Sequence, residues 1–191
     1  CGRKSSNSTL GPSNVYKEPN PEKKKEINNF LGENIKYNQG KAILLDHNFN
    51  TTKSILEHFQ TSDIIVPENC DDAFERVKDD EVYGQCMING DFLETLKQQN
   101  PEHLSLIYSD FMGQYNTCVA PLLEYLKTIQ LKKGTILGMT WSVNGDKQNS
   151  HKHSEELTKF ACKYDWEKIE ETSQYCYDTH HNMNVIFYEK T

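Results

Sequence analysis

The feature that most constrains the fold is an alternation of short apolar runs with amphipathic segments, which begins at Lys41. Short apolar runs bounded by polar residues are typical of buried strands, and the longer amphipathic segments between them are typical of helices. Strands that alternate with helices form parallel sheets with helices on both faces. The sequence therefore predicts a doubly wound α/β domain over residues 41–191.

The alternation gives five βα units followed by a strand pair. The predicted strands are Ala42–Leu45, Ile64–Val66, Gln85–Ile88, Leu104–Tyr108 and Thr135–Thr140. The predicted helices are Thr51–Phe59, Asp72–Val77, Phe92–Gln98, Ala120–Ile129 and Glu155–Lys163. Two further strands, Glu167–Tyr177 and Asn184–Glu189, form a predicted antiparallel hairpin around Asp178–Asn182. We expect the order 3-2-1-4-5, with the last strand of the hairpin antiparallel beside strand 5.

The first forty residues differ from the rest in composition and charge. Residues 1–20 are rich in Ser, Asn, Pro and Lys and predict a flexible basic arm, because they bury too little to order themselves. Asn20-Pro21-Glu22 predicts the start of a helix that runs to about Leu31, with Gly32 as its stop. Residues 21–40 are therefore interpreted as a docked helix and a linker.

Charge and cysteine usage narrow the classes of function. Residues 1–40 carry seven Lys/Arg and four Asp/Glu, whereas residues 41–191 carry fourteen and twenty-four. An acidic body argues against a broad phosphate-binding face, so a nucleic-acid or protein substrate is expected to be held through the basic arm. The six cysteines contain no C-x-x-C pair. No apolar run could span a membrane, and a soluble cytoplasmic or nuclear protein is expected.

Four consecutive predicted strands each end next to a carboxylate: Asp46, Glu68, Asp91 and Asp110. In a doubly wound sheet, ligands bind beyond the carboxyl ends of the strands. The four side chains are therefore expected to lie along one edge. Each of them has a structural alternative as a helix-capping or solvated residue, but capping alone does not require four acids on one edge.

This layout resembles the class I S-adenosylmethionine (SAM)-dependent methyltransferases, which have a Rossmann-like, mostly parallel seven-stranded sheet with an antiparallel C-terminal hairpin. The resemblance implies that Glu68, with Asn69, binds the cofactor ribose and that Asp91 and Phe92 lie against the adenine. It also implies that Asp110 orients or deprotonates the methyl acceptor. The remaining predicted site residues are Asp46, Asn48, Asn50 and Thr51 for the cofactor and Phe111, Tyr115 and Trp141 for the substrate.

The loop after strand 1 departs from that family. Its residues, Asp46-His47-Asn48-Phe49-Asn50, contain no glycine, whereas the family opens this loop with a glycine-rich run. Asn50 or Thr51 is predicted to cap the following helix. The expected function is methyl transfer from SAM. The alternatives are a catalytically inactive methyltransferase-like interaction subunit and a Rossmann-like domain that binds another nucleotide.

Other polar groups favour structural roles. His151 and His153, and the pair His180-His181, lack metal-ligand spacing and are interpreted as loop residues, so no metal site is expected. Lys23-Lys24-Lys25 is interpreted as a solvated helix face. Packing is favoured over substrate stacking for Trp141, and the same alternative applies to Tyr115.

Overall fold

The computed structural model describes residues 20–35, 40–46, 49–143, 150–176 and 182–191. These residues contain six α-helices and seven β-strands. The helices are α1 (Pro21–Asn34), α2 (Asn50–Ile55), α3 (Asp71–Val77), α4 (Phe92–Lys97), α5 (Tyr115–Leu126) and α6 (Ser150–Lys163). The strands are β1 (Lys41–Leu45), β2 (Ile64–Glu68), β3 (Met87–Asn89), β4 (Leu104–Gln114), β5 (Ile136–Ser142), β6 (Trp166–Cys176) and β7 (Asn182–Lys190).

The seven strands form one sheet in the order β3-β2-β1-β4-β5-β7-β6. The first five are parallel, and β7 pairs antiparallel with both β5 and β6. The predicted doubly wound α/β class, the strand order and the antiparallel C-terminal hairpin are confirmed. The order of the sheet reverses between β1 and β4, because the chain adds strands on one side of β1 and then on the other.

Each face of the sheet packs against its own set of helices. Leu44, Leu106 and Tyr108 lie in a core beneath α1 and α2, whereas Ile43 and Ile107 lie in the core on the opposite face. That opposite core includes buried residues of α4, α5 and α6. Successive side chains of a strand point to opposite faces, so residues alternate between the two cores along β1 and along β4 from Leu106 onward.

Helix α1 begins as predicted but is longer than expected. The Asn20 side chain accepts a hydrogen bond from the Lys23 amide at 3.1 Å, and Pro21 occupies the first helical position. The predicted stop at Gly32 is wrong, since the helix continues to Asn34. Its buried residues are Lys24, Ile27, Asn28 and Leu31, a spacing of three, four and seven that places them on one face. The helix therefore docks on the sheet.

Strand β4 is also longer than predicted. The sequence becomes polar after Tyr108, but the strand continues through Asp110 to Gln114. The polar side chains find partners on β5: the Ser109 hydroxyl donates to the Gly138 carbonyl at 3.3 Å, and the Thr140 hydroxyl donates to Asp110 at 2.8 Å. These cross-strand bonds remove the cost of continuing a polar sequence in the middle of the sheet.

Two helices begin earlier than predicted, and two histidines lie on a helix where a loop was predicted. Helix α5 begins five residues before the predicted start, and α6 begins at Ser150, which places His151 and His153 on a helix and not in the predicted loop. None of the helices in the described part of the chain is long and apolar enough to cross a membrane. The arm before Asn20, Asn48 and the histidines of the predicted hairpin turn lie outside the described residues.

Candidate functional site

The four predicted carboxylates follow one another along the carboxyl edge of the parallel strands. Glu68 ends β2, Asp46 follows β1, Asp91 lies just beyond β3, and Asp110 lies within the extended β4. The strand order therefore places them in the spatial order Asp91, Glu68, Asp46 and Asp110. The sheet brings together side chains that are far apart in the sequence. Within the described residues, no group of His, Cys, Asp or Glu side chains has the arrangement to hold a metal ion.

The two outer carboxylates, Glu68 and Asp91, lie on the β2 and β3 side of the edge. Glu68 is half-buried, and its Oε1 accepts from the Cys70 amide at 2.8 Å. Asn69, next to it, is exposed. Asp91 is exposed and caps α4, because its Oδ1 accepts from the amides of Leu93 at 2.8 Å and Glu94 at 3.1 Å. The capping alternative for Asp91 is therefore present in the structure, and the residue keeps a second carboxylate oxygen.

The carboxylate of Asp46 is buried and holds the start of α2. Its Oδ2 accepts from both the amide and the hydroxyl of Thr52, at 2.6 and 2.9 Å. Asp46 thus supplies a side-chain cap from outside the helix, which is where a negative charge is favoured by the helix dipole. Burial raises the pKa of Asp46, while the charge of Lys24 and the bonds from Thr52 oppose that shift.

The prediction that Asn50 or Thr51 caps α2 is wrong. The N-cap is Phe49, with φ 56° and ψ 18°, and it makes no side-chain capping bond. Asp46 accepts from the Thr52 amide, which a capping side chain would otherwise do. The Thr51 hydroxyl instead donates to the Asn28 side chain on α1 at 3.0 Å. The Asn28 amide donates in turn to the Asn50 carbonyl at 3.2 Å. The first turn of α2 is therefore fastened to α1.

Phe49 adopts a left-handed conformation that residues with large side chains rarely adopt. Its ring is buried and packs with its centroid 4.7 Å from that of Tyr83. Packing of the ring thus compensates for the backbone strain at a position where glycine would be relaxed.

Lys24 forms a partly buried ion pair with Asp110. The Lys24 Nζ donates to Asp110 Oδ2, while the Thr140 hydroxyl donates to Asp110 Oδ1. The Lys24 side chain is 9% exposed and that of Asp110 is 25% exposed. The ammonium also lies over the Tyr108 ring, 5.4 Å from its centroid. The interpretation of Lys24 as part of a solvated face is therefore wrong.

The protonation of Lys24 follows from its neighbours. Burial lowers the pKa of the Lys24 ammonium, but electrostatic attraction to Asp110, to the Tyr108 hydroxyl and to Asp46, together with the hydrogen bond to Asp110, outweighs burial, so that its pKa lies well above the ordinary value of 10.5. Lys24 is therefore charged at neutral pH. We call the β1 and β4 side of this edge its inner half and the β2 and β3 side its outer half. The inner half contains the positive charge of Lys24 beside the carboxylates of Asp110 and Asp46.

The predicted substrate-facing aromatic residues lie on the opposite face of the sheet. Phe111 is half-buried and meets Phe92 edge to face, with 5.7 Å between the ring centroids. Tyr115 and Trp141 are 1% and 4% exposed and pack edge to face at 5.7 Å. The burial of Tyr115 and Trp141 agrees with the alternative that both residues pack in the core. His153 is buried as well and stacks on Tyr115 at 4.0 Å.

Burial raises the pKa of the Tyr115 hydroxyl, and the charge of Glu156 adds to this effect. Tyr115 is therefore a neutral phenol over the whole physiological range. A neutral, buried phenol can donate a hydrogen bond but does not serve as a base at neutral pH.

Sequence reasoning missed Lys24 and Asn28. The signal was present, because both residues share the helical face of Ile27 and Leu31, whose burial was expected. A lysine at a core-facing helical position needs a carboxylate partner. The sequence analysis treated Lys23, Lys24 and Lys25 as one charged block. Placing each lysine on the helical period would have identified Lys24 as the one on the buried face.

The fold is matched among solved structures. An O-methyltransferase from Bacillus cereus, in complex with S-adenosylhomocysteine (SAH), aligns with 89% of this chain and 81% of its own at a TM-score of 0.57 and 11% identity. Fibrillarin from Aeropyrum pernix, with natively bound SAM, aligns with 85% and 74% at 0.53 and 15%. The chain has the Rossmann-like methyltransferase fold.

A third methyltransferase-fold structure, the tRNA methyltransferase TrmK of B. subtilis, aligns with 86% of this chain and 65% of its own at a TM-score of 0.57 and 18% identity. No family model matches the sequence, and no curated protein matches it. At these identities the methyltransferase fold is what the chain shares with its structural neighbours. Its site has to be argued from its own residues.

Proposed function

We propose that this protein is a SAM-dependent methyltransferase whose cofactor lies along the carboxyl edge of β3, β2, β1 and β4. The observation that supports the proposal is the line of four carboxylates at that edge of a methyltransferase-fold sheet. Glu68, half-buried at the end of β2, is the proposed ribose ligand, with Asn69 beside it. Asp91 and Phe92 are the proposed contacts of the adenine.

Methyl transfer requires positioning more than acid-base chemistry. Displacement at a sulfonium methyl group gains mostly from proximity and alignment of the reactants. Asp110 is the proposed acceptor-orienting residue, held in place by Lys24 and Thr140. With both of its oxygens engaged, Asp110 would act by accepting a hydrogen bond from the acceptor and by electrostatic stabilisation.

The acceptor is proposed to be a nucleic acid or a protein engaged through the basic arm of residues 1–20. The acidic balance of residues 41–191 supports a role for the arm, since carboxylates outnumber Lys and Arg there by twenty-four to fourteen and would repel phosphates. Removing residues 1–19, which keeps the Asn20 cap of α1, is expected to leave SAM binding unchanged. If RNA is the acceptor, the truncated protein should also show a flatter dependence of RNA affinity on salt concentration than the full chain.

A catalytically inactive methyltransferase-like subunit is the second candidate. The observation in its favour is the tight inner half of the edge, where Asp46 caps α2 and Asp110 is paired with Lys24. A site whose polar groups already satisfy one another gains less from a ligand.

Calorimetric titration of the purified chain with SAM and with SAH separates the two candidates. Saturable 1:1 binding, lost or weakened in Glu68→Ala, is the result expected of the methyltransferase. The absence of binding of either compound at millimolar concentration would contradict that function and favour the interaction subunit.

A further inference from the structure

The whole charge excess of the chain falls in one segment, residues 68–94. This segment contains nine Asp/Glu and two Lys/Arg, a net charge of −7 that equals the net charge of the full chain. The other residues are balanced, since 28 acids minus nine and 21 bases minus two both leave nineteen. All nine carboxylates except that of Glu68 are exposed. The side of the protein that carries α3, β3 and the start of α4 is therefore strongly acidic.

Both cations of this segment lie on or directly after α3 and interact with residues of that helix. The Lys78 Nζ lies 2.6 Å from Glu75 Oε2, and the Arg76 Nε donates to the Asp72 carbonyl at 3.1 Å. Backbone amides that donate to Asp80 lower the pKa of its carboxyl, so it stays charged at neutral pH. The acidic character of the surface is thus present under physiological conditions.

A compact turn leads from α3 into β3 and holds Val82 at the surface. Asp80 Oδ1 accepts from the Val82 and Tyr83 amides at 2.9 and 2.8 Å. The Gly84 amide donates to the Asp80 carbonyl at 3.1 Å. A Cβ at Gly84 would clash with the Lys78 carbonyl, so glycine permits this close approach of the backbone. The turn therefore fixes the position of Val82.

Strand β3, which follows this turn, is an edge of the sheet. The Cys86 carbonyl and the Gly90 amide are hydrogen-bonded to β2, at 2.8 and 3.0 Å. Because alternate residues of a strand bond to opposite neighbours, the backbone groups of Met87 and Asn89 face the other side. No strand of the described residues lies there. An open strand edge of this kind is a template for a further strand.

Apolar side chains accompany the open edge. Three large apolar side chains are exposed in the described residues, and two of them are Ile88 in β3 and Val82 in the turn, each 40% exposed. The Val82 carbonyl oxygen lies 3.6 Å from the Sγ of Cys86, the residue before β3, so Val82 lies beside the start of the strand. Since β3 has three residues, pairing with it supplies few hydrogen bonds. A partner strand needs side-chain contacts as well.

The charge of this surface selects the kind of partner. A second copy of the chain that paired through the same edge would bring a charge of −7 against a charge of −7 and would be repelled. Nucleic acids and anionic membranes are repelled for the same reason. A polypeptide rich in lysine or arginine is attracted, and it also has the backbone groups that an open strand pairs with.

We propose that the open edge of β3 binds an extended basic segment of a partner protein, which adds a strand to the sheet. Aliphatic side chains of that segment pack on Ile88 and Val82, and its lysine or arginine side chains lie among the carboxylates of α3 and of the turn. This interaction goes beyond the proposed function, because neither β3 nor the turn contains a residue assigned to SAM or to the methyl acceptor.

A short peptide of alternating lysine and valine is the probe, titrated calorimetrically into the full chain at low ionic strength. Lysine with glycine removes the aliphatic groups, glutamate with valine reverses the charge, and N-methylation of every amide removes the backbone donors. We expect each change to weaken binding about tenfold or more. No binding of the lysine-valine peptide, or equal binding of any of the three matched peptides, would overturn the proposal.

Amide hydrogen exchange, measured by NMR, locates the peptide on the strand. With saturating peptide, the Met87 and Asn89 amides should exchange about tenfold more slowly, because they gain acceptors on the open side. The Ile88 amide faces β2 and should change less. Equal protection of the three amides, or protection of none, would overturn the addition of a strand at β3.

Two variants test the apolar contribution. Ile88→Ser should weaken binding of the lysine-valine peptide about fivefold, because an aliphatic contact is lost. Met112→Ser is the matched control, since Met112 is the third exposed apolar side chain and lies on β4, and it should bind the peptide like wild type. An equal loss in both variants, or none in Ile88→Ser, would overturn the assigned contact.

The charge contribution has a matched pair as well. Asp79→Asn/Glu81→Gln removes two exposed carboxylates next to Val82 and should weaken binding about tenfold at low ionic strength, and less as salt is added. Glu167→Gln/Glu189→Gln removes two exposed carboxylates from β6 and β7 and should have little effect. Equal effects of the two double variants would overturn binding at β3. Binding that appears only after removal of residues 1–19 would identify the chain's own basic segment as the occupant and overturn a partner protein.

Discussion

The inner and outer halves of the carboxyl edge use the same residue type in different ways. On the outer half, Glu68 and Asp91 are accessible and accept hydrogen bonds from amides within a few residues of themselves. On the inner half, Asp46 and Asp110 are held by groups from other elements, Thr52 of α2 and Lys24 of α1. A bond to a neighbouring residue ties a carboxylate to its own loop, whereas a bond between elements makes it part of the tertiary structure. Substitutions should therefore affect ligand binding on the outer half and stability on the inner half.

The largest expected effect is on the inner half. Lys24→Met should lower the free energy of unfolding by about 3 kcal/mol, the lower end of the range for breaking a buried pair, since the Asp110 side chain keeps some contact with solvent. Urea denaturation followed by circular dichroism measures the change. Lys25→Met should alter stability by less than about 0.5 kcal/mol. A similar loss in both variants would show that the ion pair is not what distinguishes Lys24.

The same pair predicts a dependence on alkaline pH. Because the pKa of Lys24 is raised in the folded state, its contribution is fully present below the ordinary value of 10.5 and is lost as the pH rises through the higher folded-state pKa. Unfolding free energies of wild type and Lys24→Met should therefore converge above that value. A difference that stays constant into the alkaline range would contradict a charged Lys24.

Asp46→Ala should destabilise the protein by about 2–3 kcal/mol, because the amide and the hydroxyl of Thr52 both lose their acceptor in a buried setting. Asp46→Asn keeps an acceptor oxygen and should cost less. Thermal unfolding at equal protein concentration should give midpoint temperatures in the order wild type, Asp46→Asn and Asp46→Ala, from highest to lowest. The inner-half assignment would be wrong if Asp46→Ala unfolded at the wild-type temperature.

On the outer half, Glu68→Ala should weaken SAM binding by about 1–3 kcal/mol through loss of charge-assisted hydrogen bonds to the ribose. Its free energy of unfolding should change less than that of Lys24→Met, since the Cys70 amide that donates to Glu68 is exposed to solvent. Asp110→Ala should instead lower methyl transfer more than SAM affinity. Calorimetry and a transfer assay, run on both variants, distinguish the two halves of the edge.

The smallest effect is expected at Asp91. Asp91→Ala removes the N-cap of α4 and should cost about 1 kcal/mol of stability. Asp91→Ser retains a capping oxygen and should recover most of that loss, while any lost contact with the adenine would remain. Comparing stability and SAM affinity in the two variants separates capping from ligand binding.

The fold was predictable because its signals are local. Alternating apolar runs gave the strands, and Asn20-Pro21 gave the start of α1. The ion pair of the inner edge was not predicted, because it joins residues 86 positions apart and depends on how α1 crosses the sheet. The capping of α2 by Asp46 was missed for a related reason: the nearest polar residues, Asn50 and Thr51, are engaged with α1. Sequence patterns gave the positions of the carboxylates but not their partners.

The continuation of β4 past Asp110 sets a condition of reach on any acceptor. Four more residues extend the strand to Gln114, and because the register shifts between Asp110 and Gln114 they advance along β5 only from Thr140 to Ser142, which at about 3.3 Å per residue is roughly 7 Å. Met112, in this projection, is 49% exposed. A molecule that approaches along the strand axis must therefore pass this length of backbone before it meets the carboxylate. A slender protruding group, such as a long side chain or an extruded base, can enter, whereas a flat surface stops at the tip of the strand.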